Sequence, residues 1–245
     1  MDIVLHHVSL IAVDLDGTLL TDTFSPVLRR VCSHYGWEYT EEFERNTFSQ
    51  PREKSAAFIK SYYGHLFDPE KPEMALGEMV QDFFRFRNEH LLEHPVRLLP
   101  GAEQLLDLLS AQGATLVCYG GMEEDHMRKE LGPLAGMFER YVCTNGFRPG
   151  VRHIASQFLQ EDPSHALFLD DVFGAGVEAR SIGAGFIGTP STDPACHQRR
   201  IMEAEGLPVL ADDLSMIDAD LLAELDARLA DGTFWSPARA KADQG

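Results

Sequence analysis

The stretch that decides the fold is Val8-Ser9-Leu10-Ile11-Ala12-Val13-Asp14-Leu15-Asp16-Gly17-Thr18-Leu19. Its continuous apolar run is shorter than an ordinary helix and contains β-branched residues, which favours a strand buried on both faces. Asp14 and Asp16 follow at alternate positions, so both carboxylates can leave the same side of an extended backbone before Gly17 and Thr18 supply a turn. In an open parallel sheet, these acids would lie at the carboxyl edge, where ligands bind.

Composition limits the kinds of partner that the protein can have. The chain has 245 residues, which suits one large domain or a core with a smaller insertion. Its formal net charge of −18 argues against a nucleic-acid or anionic-membrane surface, because both need basic patches. The four cysteines show no metal-type spacing and are interpreted as reduced, buried thiols. With no membrane-spanning apolar run and no secretion signal, we expect a soluble, cytoplasmic protein, and its oligomeric state cannot be read from the sequence.

Helical periodicity replaces the apolar runs between residues 21 and 96. Ser25 before a proline, Thr40 and Pro51 each mark the start of a helix. A longer helix is predicted over about 73 to 92, with one apolar face. The residues of that face are Leu76, Met79, Val80, Phe83, Phe84 and Leu91. This segment is longer than most crossovers need, so it is predicted to be an all-helical insertion.

Strand and helix patterns alternate in the rest of the chain, which predicts a doubly wound parallel sheet. The predicted strands after the first lie at 114–119, 141–144, 166–169, 184–188 and 208–210. The predicted organisation is an α/β core over 1–20 and 97–235, a helical cap over 21–96 and a flexible tail over 236–245. Just before the tail, Phe234 and Trp235 belong to a segment that is either frayed or docked only through these two rings.

A second pair of acids, Asp170 and Asp171, ends the strand at 166–169. If this strand lies beside the first one, four carboxylates meet at one edge of the sheet, and such crowding is costly unless it is compensated. A hard divalent cation is the natural compensation, and all-oxygen ligands favour Mg²⁺. Since Mg²⁺ commonly shares its ligand shell with a phosphate, the pattern predicts phosphoryl transfer with an aspartate nucleophile.

These acidic motifs resemble those of the haloacid dehalogenase-like hydrolases. The resemblance is carried by Asp14-Leu15-Asp16-Gly17-Thr18-Leu19, by the helical insertion after it and by Leu169-Asp170-Asp171. It covers essentially residues 8 to 190 and implies a Rossmannoid core with a helical cap over the active site. The dehalogenase branch lacks the second aspartate of the first motif, so its presence here favours phosphate esters over haloacids.

The resemblance also implies roles for individual residues. Asp14 would attack phosphorus to give an aspartyl-phosphate, and Asp16 would protonate the leaving oxygen and later activate water. Mg²⁺ would bind the carboxylates of Asp14 and Asp171 and the backbone carbonyl of Asp16, with Asp170 as a near or second-sphere ligand. The predicted metal ligands are therefore Asp14, Asp16, Asp170 and Asp171.

The two remaining family motifs predict the phosphate contacts. The family has a cation before the helix that leads to the last motif, and Arg148 takes that place, where it could bind the nucleophile and the phosphoryl oxygens. The family has Ser or Thr at the end of the second core strand, where this chain departs with Tyr119. Its phenol either donates to the phosphate or packs as a core aromatic, and amides of the next two glycines could bind the phosphate instead. The predicted substrate-binding residues are Gly17, Thr18, Tyr119, Gly120 and Gly121.

Several other polar residues are open to two interpretations. Asn46, Phe48, Gln50 and Arg52 either line the substrate pocket or belong to an ordinary loop between helices. The histidines are scattered without ligand spacing, and His126 is interpreted as a surface residue.

These patterns together predict a Mg²⁺-dependent phosphatase that acts on a small phosphorylated metabolite. The alternatives are a phosphomutase, a phosphonate hydrolase of the same superfamily and a catalytically degenerate protein that binds a phosphorylated ligand.

Overall fold

The computed structural model describes residues 3–63, 72–159 and 162–236. For Arg52, Tyr63 and residues 72–76 it describes the backbone alone. The predicted flexible tail lies outside the described residues, apart from Ser236.

Five parallel strands form one sheet in the described part of the chain. They are β1 Leu10–Asp14, β2 Thr115–Gly120, β3 Arg140–Cys143, β4 Ala166–Asp170 and β5 Gly185–Gly188. Their order is β3-β2-β1-β4-β5, so the first strand is central, and all five of its residues are buried. The predicted strand at 208–210 is wrong, because Leu210 forms only an isolated bridge with Gly188. Pro208 has no N–H with which to extend the ladder.

In the described part of the segment predicted as the cap, four helices are present. They are α1 Ser25–His34, α2 Glu41–Thr47, α3 Arg52–Tyr63 and α4 Pro72–Glu93. The chain enters and leaves this segment side by side, since Leu20 and Leu98 form an antiparallel bridge. Thr40 caps α2 by accepting a hydrogen bond from the backbone N–H of Phe43, as its sequence position indicates. The exact limits of the cap, 21–96, stay a prediction.

The apolar face predicted for α4 is wrong at two positions. Val80 and Phe84 are each 50% exposed, whereas Phe86, which was not assigned to that face, is buried. Phe86 and Phe83 pack against Val27 and other residues of α1. The face that meets α1 therefore runs through Phe83 and Phe86.

The remaining helices cover both faces of the sheet. They are α5 Ala102–Ser110, α6 Glu124–Leu131, α7 Val151–Phe158, α8 Phe173–Ile182, α9 Gln198–Ala204 and α10 Ala219–Ala230. Ile11 and Val13 of β1 pack in one core with residues of α5, α6 and α10. Leu10 and Ala12 pack in the opposite core with residues of α7, α8 and α9. This arrangement confirms the predicted doubly wound parallel α/β fold.

The aromatic pair after α10 is docked. Phe234 is 1% exposed, and the Trp235 indole Nε1–H donates a hydrogen bond of 2.9 Å to the backbone carbonyl of Ala184. Of the two alternatives for this segment, docking through the rings is therefore the correct one.

The expectation that the four cysteines are reduced and buried is met in part. The four cysteines are free, but only Cys32 and Cys118 are buried, while Cys143 and Cys196 are partly exposed. Burial raises the pKa of the Cys32 and Cys196 thiols to about 12, which keeps both protonated at neutral pH.

None of the helices in the described ranges combines the length and the apolar character needed to cross a bilayer.

Candidate active site

Three polar side chains stand in a row across the carboxyl edge of the sheet. Asp14 of β1 is paired with Tyr119 of β2, and the pairing of Val13 with Leu169 places Asp170 on the other side of Asp14. Because side chains alternate along a strand, all three point to the same face of the sheet. The two acid pairs predicted from distant parts of the sequence therefore converge.

The carboxylates at this edge are buried and crowded. Asp14, Asp170 and Asp171 are 9%, 2% and 6% exposed. Burial raises the pKa of Asp14 well above its usual value, and the charges of Asp170, Asp171 and Asp16 raise it further, whereas Arg148 opposes them. Burial followed by the charge of Asp170 likewise raises the pKa of Asp171. Full ionisation of these carboxyl groups together is therefore unfavourable at neutral pH.

Tyr119 orients Asp170. Its hydroxyl donates a hydrogen bond of 2.7 Å to Asp170 Oδ2, and the backbone N–H of Val172 donates one of 2.7 Å to Oδ1. These two bonds limit the effect of burial, which raises the pKa of Asp170 to about 6. Burial also raises the pKa of Tyr119 itself, so the phenol remains a donor. With its ring edge-on to Phe168 and 1% of its surface exposed, Tyr119 does not line the cavity described next.

A cavity of about 220 Å³ lies between this edge and the cap. The core lines it with Asp14, Asp16, Gly121, Arg148, Asp170, Asp171 and Val172. The segment after β1 lines it with Asp22, Phe24, Leu28, Thr47, Phe48, Ser49 and Gln50. Phe48 and Gln50 are therefore pocket residues, whereas the Asn46 amide donates to the backbone carbonyl of Glu42, and the Arg52 side chain lies outside the described part. Ser49 has a φ of 46°, a left-handed conformation that is uncommon outside glycine and recurs at ligand sites.

Arg148 lies in the cavity against Gly121. A Cβ built on Gly121 would be 1.4 Å from the Arg148 Nη2 atom, so no larger residue fits at position 121 with the guanidinium in this place. A cis peptide bond joins Arg148 to Pro149. Within the described residues, Arg148 has no ion-pair partner, which leaves its donors available to an anion.

Three other predicted substrate-binding residues, Gly17, Thr18 and Gly120, are not among the described residues that line this cavity. Gly17 has a φ of 103°, and a Cβ there would lie 2.2 Å from Asp171 Oδ2, so this turn needs glycine to pack against the second acid pair. The buried Thr18 hydroxyl lies 3.2 Å from that of Thr189. Gly120 follows Tyr119 at the end of β2.

Sequence reasoning missed His126. This residue lies in the first turn of α6, its side chain is 13% exposed, and its Nε2 atom is 3.0 Å from Asp16 Oδ1. The interpretation of His126 as a surface residue is therefore wrong. The available signal was its position, because the helix that follows β2 begins at the same edge of the sheet that carries the acids.

The donor chemistry of the site fits Mg²⁺. Buried carboxylates supply the oxygen ligands that this ion prefers, and within the described ranges the buried Asp16 Oδ2 atom has no hydrogen-bond partner. Asp14 and Asp171, with the backbone carbonyl of Asp16, could hold the ion. Both oxygens of Asp170 already accept hydrogen bonds, and in the described residues no three His, Cys, Asp or Glu side chains stand ready as a metal-ligand set. The four predicted ligands therefore stay a prediction.

Comparison with known proteins adds the fold family. No family model and no curated protein matches the chain. A β-phosphoglucomutase from Clostridium difficile has a TM-score of 0.64 at 15% identity, over 91% of this chain and 99% of that one. A phosphonoacetaldehyde hydrolase-like protein from Oleispira antarctica has a TM-score of 0.63 at 15% identity, and the match covers 93% of this chain and 95% of that one. A predicted phosphoglycolate phosphatase from Haemophilus somnus has a TM-score of 0.57 at 17% identity, and the match covers 89% of this chain and 97% of that one.

Other similar structures are described as haloacid dehalogenase-like proteins or hydrolases. At these identities the likeness concerns the fold. The fold implied by the motif resemblance is confirmed, because the chain shares it with these haloacid dehalogenase-like structures.

Proposed function

We propose that this chain is a Mg²⁺-dependent phosphatase that hydrolyses a small phosphorylated metabolite through an aspartyl-phosphate. The observation that carries the proposal is the meeting of Asp14, Asp170 and Asp171 with the guanidinium of Arg148 in one cavity beneath the cap. The names of similar structures, a phosphatase, a phosphomutase and a phosphonoacetaldehyde hydrolase-like protein, agree with chemistry at phosphorus.

The first half of the reaction transfers the phosphoryl group to the protein. An Asp14 carboxylate oxygen forms a bond to phosphorus while the bond from phosphorus to the ester oxygen breaks. Asp16 gives its proton to the departing oxygen, so the alcohol leaves uncharged. Arg148 donates hydrogen bonds to the phosphoryl oxygens as charge develops on them. Mg²⁺, when bound, would offset the negative charge of the phosphate and the carboxylates.

The second half restores the protein. Water attacks the phosphorus of the aspartyl-phosphate, its proton passes to Asp16, and the bond between Asp14 and phosphorus breaks to release inorganic phosphate. Phe24, Leu28 and Phe48 form an apolar wall that excludes bulk water during the transfer. Movement of the cap would then admit the water that completes the cycle.

The cavity favours a small substrate. Its volume of about 220 Å³ leaves room for a phosphate and a short organic group. From the cap side, the Ser49 side chain can offer a hydrogen bond to that group. The Thr47 hydroxyl and the Gln50 amide line the same wall but already donate to backbone carbonyls of α2. A cytoplasmic location is part of the proposal, and the four free cysteines support it, because disulfides are rare in reducing compartments.

Hydrolysis of p-nitrophenyl phosphate with Mg²⁺ tests the proposal. Asp14→Asn keeps the size of the side chain but removes the nucleophile, and we expect it to abolish turnover. Asp107→Asn, the same change at an exposed position of α5, serves as the control and should retain activity. An Asp14→Asn variant that is as active as the wild type would rule out the mechanism.

One observation favours the noncatalytic alternative. The Tyr119 hydroxyl donates its hydrogen bond to Asp170 and not to a group in the cavity. Tyr119 stands where the family has Ser or Thr, so this position offers no phosphate contact here. A degenerate binding protein would show thermal stabilisation by Mg²⁺ and phosphate but no turnover on a panel of phosphate esters. A phosphomutase would instead convert a sugar phosphate into its isomer without release of phosphate.

A further inference from the structure

The contact between His126 and Asp16 joins residues that are far apart in the chain. His126 Nε2 lies 3.0 Å from Asp16 Oδ1, and the two side chains are 13% and 6% exposed, so water competes weakly for this bond. The other oxygen of the carboxylate, Oδ2, is buried and has no hydrogen-bond partner among the described residues. Asp16 also lines the cavity next to Asp14. His126 therefore holds Oδ1, whereas Oδ2 makes no hydrogen bond with the described residues.

This asymmetry decides where a proton can reside on Asp16. When the Nε2–H group of His126 donates to Oδ1, the acidic proton of the carboxyl group is carried by Oδ2. The same bond limits rotation of the carboxyl group, and small errors in the placement of a reacting group can cost about a hundredfold in rate.

We infer that His126 is a positioning residue, which holds Asp16 so that the oxygen carrying the proton faces the leaving group. The inference rests on the proposed function, which makes Asp16 the proton donor. His126 is not among the described residues that line the cavity, so its role is to act through Asp16.

A matched pair of amide variants isolates this role. In His126→Gln, the side-chain N–H₂ group reaches about as far as Nε2 and can still donate to Asp16. In His126→Asn, the amide is one methylene shorter and falls short of it. Both variants are neutral and polar, so they differ mainly in reach. His126→Ala, which also lacks the donor and suits a helix, provides a second deficient variant if the Asn protein is unstable.

Leaving-group dependence separates positioning of a proton donor from a general structural effect. p-Nitrophenolate departs readily without a proton, whereas phenolate depends on one, and kcat/KM reports the steps up to cleavage of the ester bond. For phenyl phosphate, we expect His126→Asn to lower kcat/KM by about tenfold to a hundredfold. For p-nitrophenyl phosphate the loss should stay within about threefold. His126→Gln should restore both values to within about threefold of wild type.

The outcomes separate this inference from the proposed function. If the wild type hydrolyses both esters but the Asn and Ala variants lose activity equally on both, His126 has only a structural role and the inference is overturned. Full activity of these variants on phenyl phosphate, or a Gln variant as slow as the Asn variant, overturns it as well. A wild type that is inactive on both esters refutes the proposed function, and the inference with it.

Discussion

The hydrogen bond between Tyr119 and Asp170 offers a quantitative test of the site's electrostatics. Tyr119→Phe removes the hydroxyl and keeps the ring that packs against Phe168. Both partners of the bond are nearly inaccessible to water, at 1% and 2% exposed. A hydrogen bond to a charged group contributes about 1.5 to 3 kcal/mol, so we expect this loss in the free energy of unfolding at pH 8 without metal. For a chain of this length, the loss corresponds to a fall in Tm of about 3 to 12 °C.

The loss should shrink at low pH, and the sign follows from Asp170. Its pKa in the folded protein, about 6, lies above the ordinary value of 3.8, so the free energy of unfolding falls as the pH rises through this window. The Tyr119 hydroxyl lowers that folded-state pKa, so Tyr119→Phe raises it further and increases the penalty at pH 8 by about 1.4 kcal/mol per pKa unit. At pH 5 Asp170 is largely protonated in both folded proteins, and the variant loses only a neutral hydrogen bond, worth about 1 kcal/mol.

Urea denaturation at pH 5 and pH 8, with a chelator present, measures this difference. The control is Tyr141→Phe, because the Tyr141 hydroxyl donates a bond of equal length, 2.7 Å, to the uncharged backbone carbonyl of Met122. The control should lose the same free energy at both pH values. If Tyr119→Phe is equally destabilising at both, or no worse than the control at pH 8, the reasoning about Asp170 is refuted.

Three further changes test other parts of the site. Gly121→Ala should displace the Arg148 guanidinium and lower kcat/KM for p-nitrophenyl phosphate by about tenfold to a hundredfold. The control is Gly146→Ala, whose added Cβ would meet nothing within 4 Å, and its kcat/KM should stay within about twofold of the wild-type value. Glu44→Gln should cost about 1 to 3 kcal/mol in the free energy of unfolding, measured by urea denaturation, because the buried Glu44 carboxylate of α2 accepts a bond of 2.8 Å from the Gln198 side chain of α9. An unchanged midpoint would show that this hydrogen bond does not stabilise the contact between the two helices. Mg²⁺ at ten times its dissociation constant should raise the free energy of unfolding of chelator-treated protein by about 1.4 kcal/mol, measured by thermal melting, and the absence of any shift would count against the metal site.

The meeting of the two acid pairs was predictable from local patterns. The continuous apolar runs of β1 and β4 identify buried parallel strands, and parallel strands bring their carboxyl ends to one edge. Asp14 and Asp170 therefore had to converge once these strands were neighbours. The helices of the cap segment were likewise predictable, because residues such as Thr40 mark their starts within a few positions of the chain.

Which atoms meet within the site was decided by the tertiary structure. The Tyr119 hydroxyl passes the central strand to reach Asp170, and His126 meets Asp16 across 110 positions of the chain. The side of α4 that is buried depended on where α1 lies, which is why Phe86 and not Phe84 is covered. Periodicity and capping report on neighbours along the chain, whereas hydrogen bonds between distant side chains depend on how separate elements pack. The sequence patterns therefore determine that acids crowd this edge of the sheet. Packing alone determines which of their carboxylate oxygens accept hydrogen bonds from other side chains.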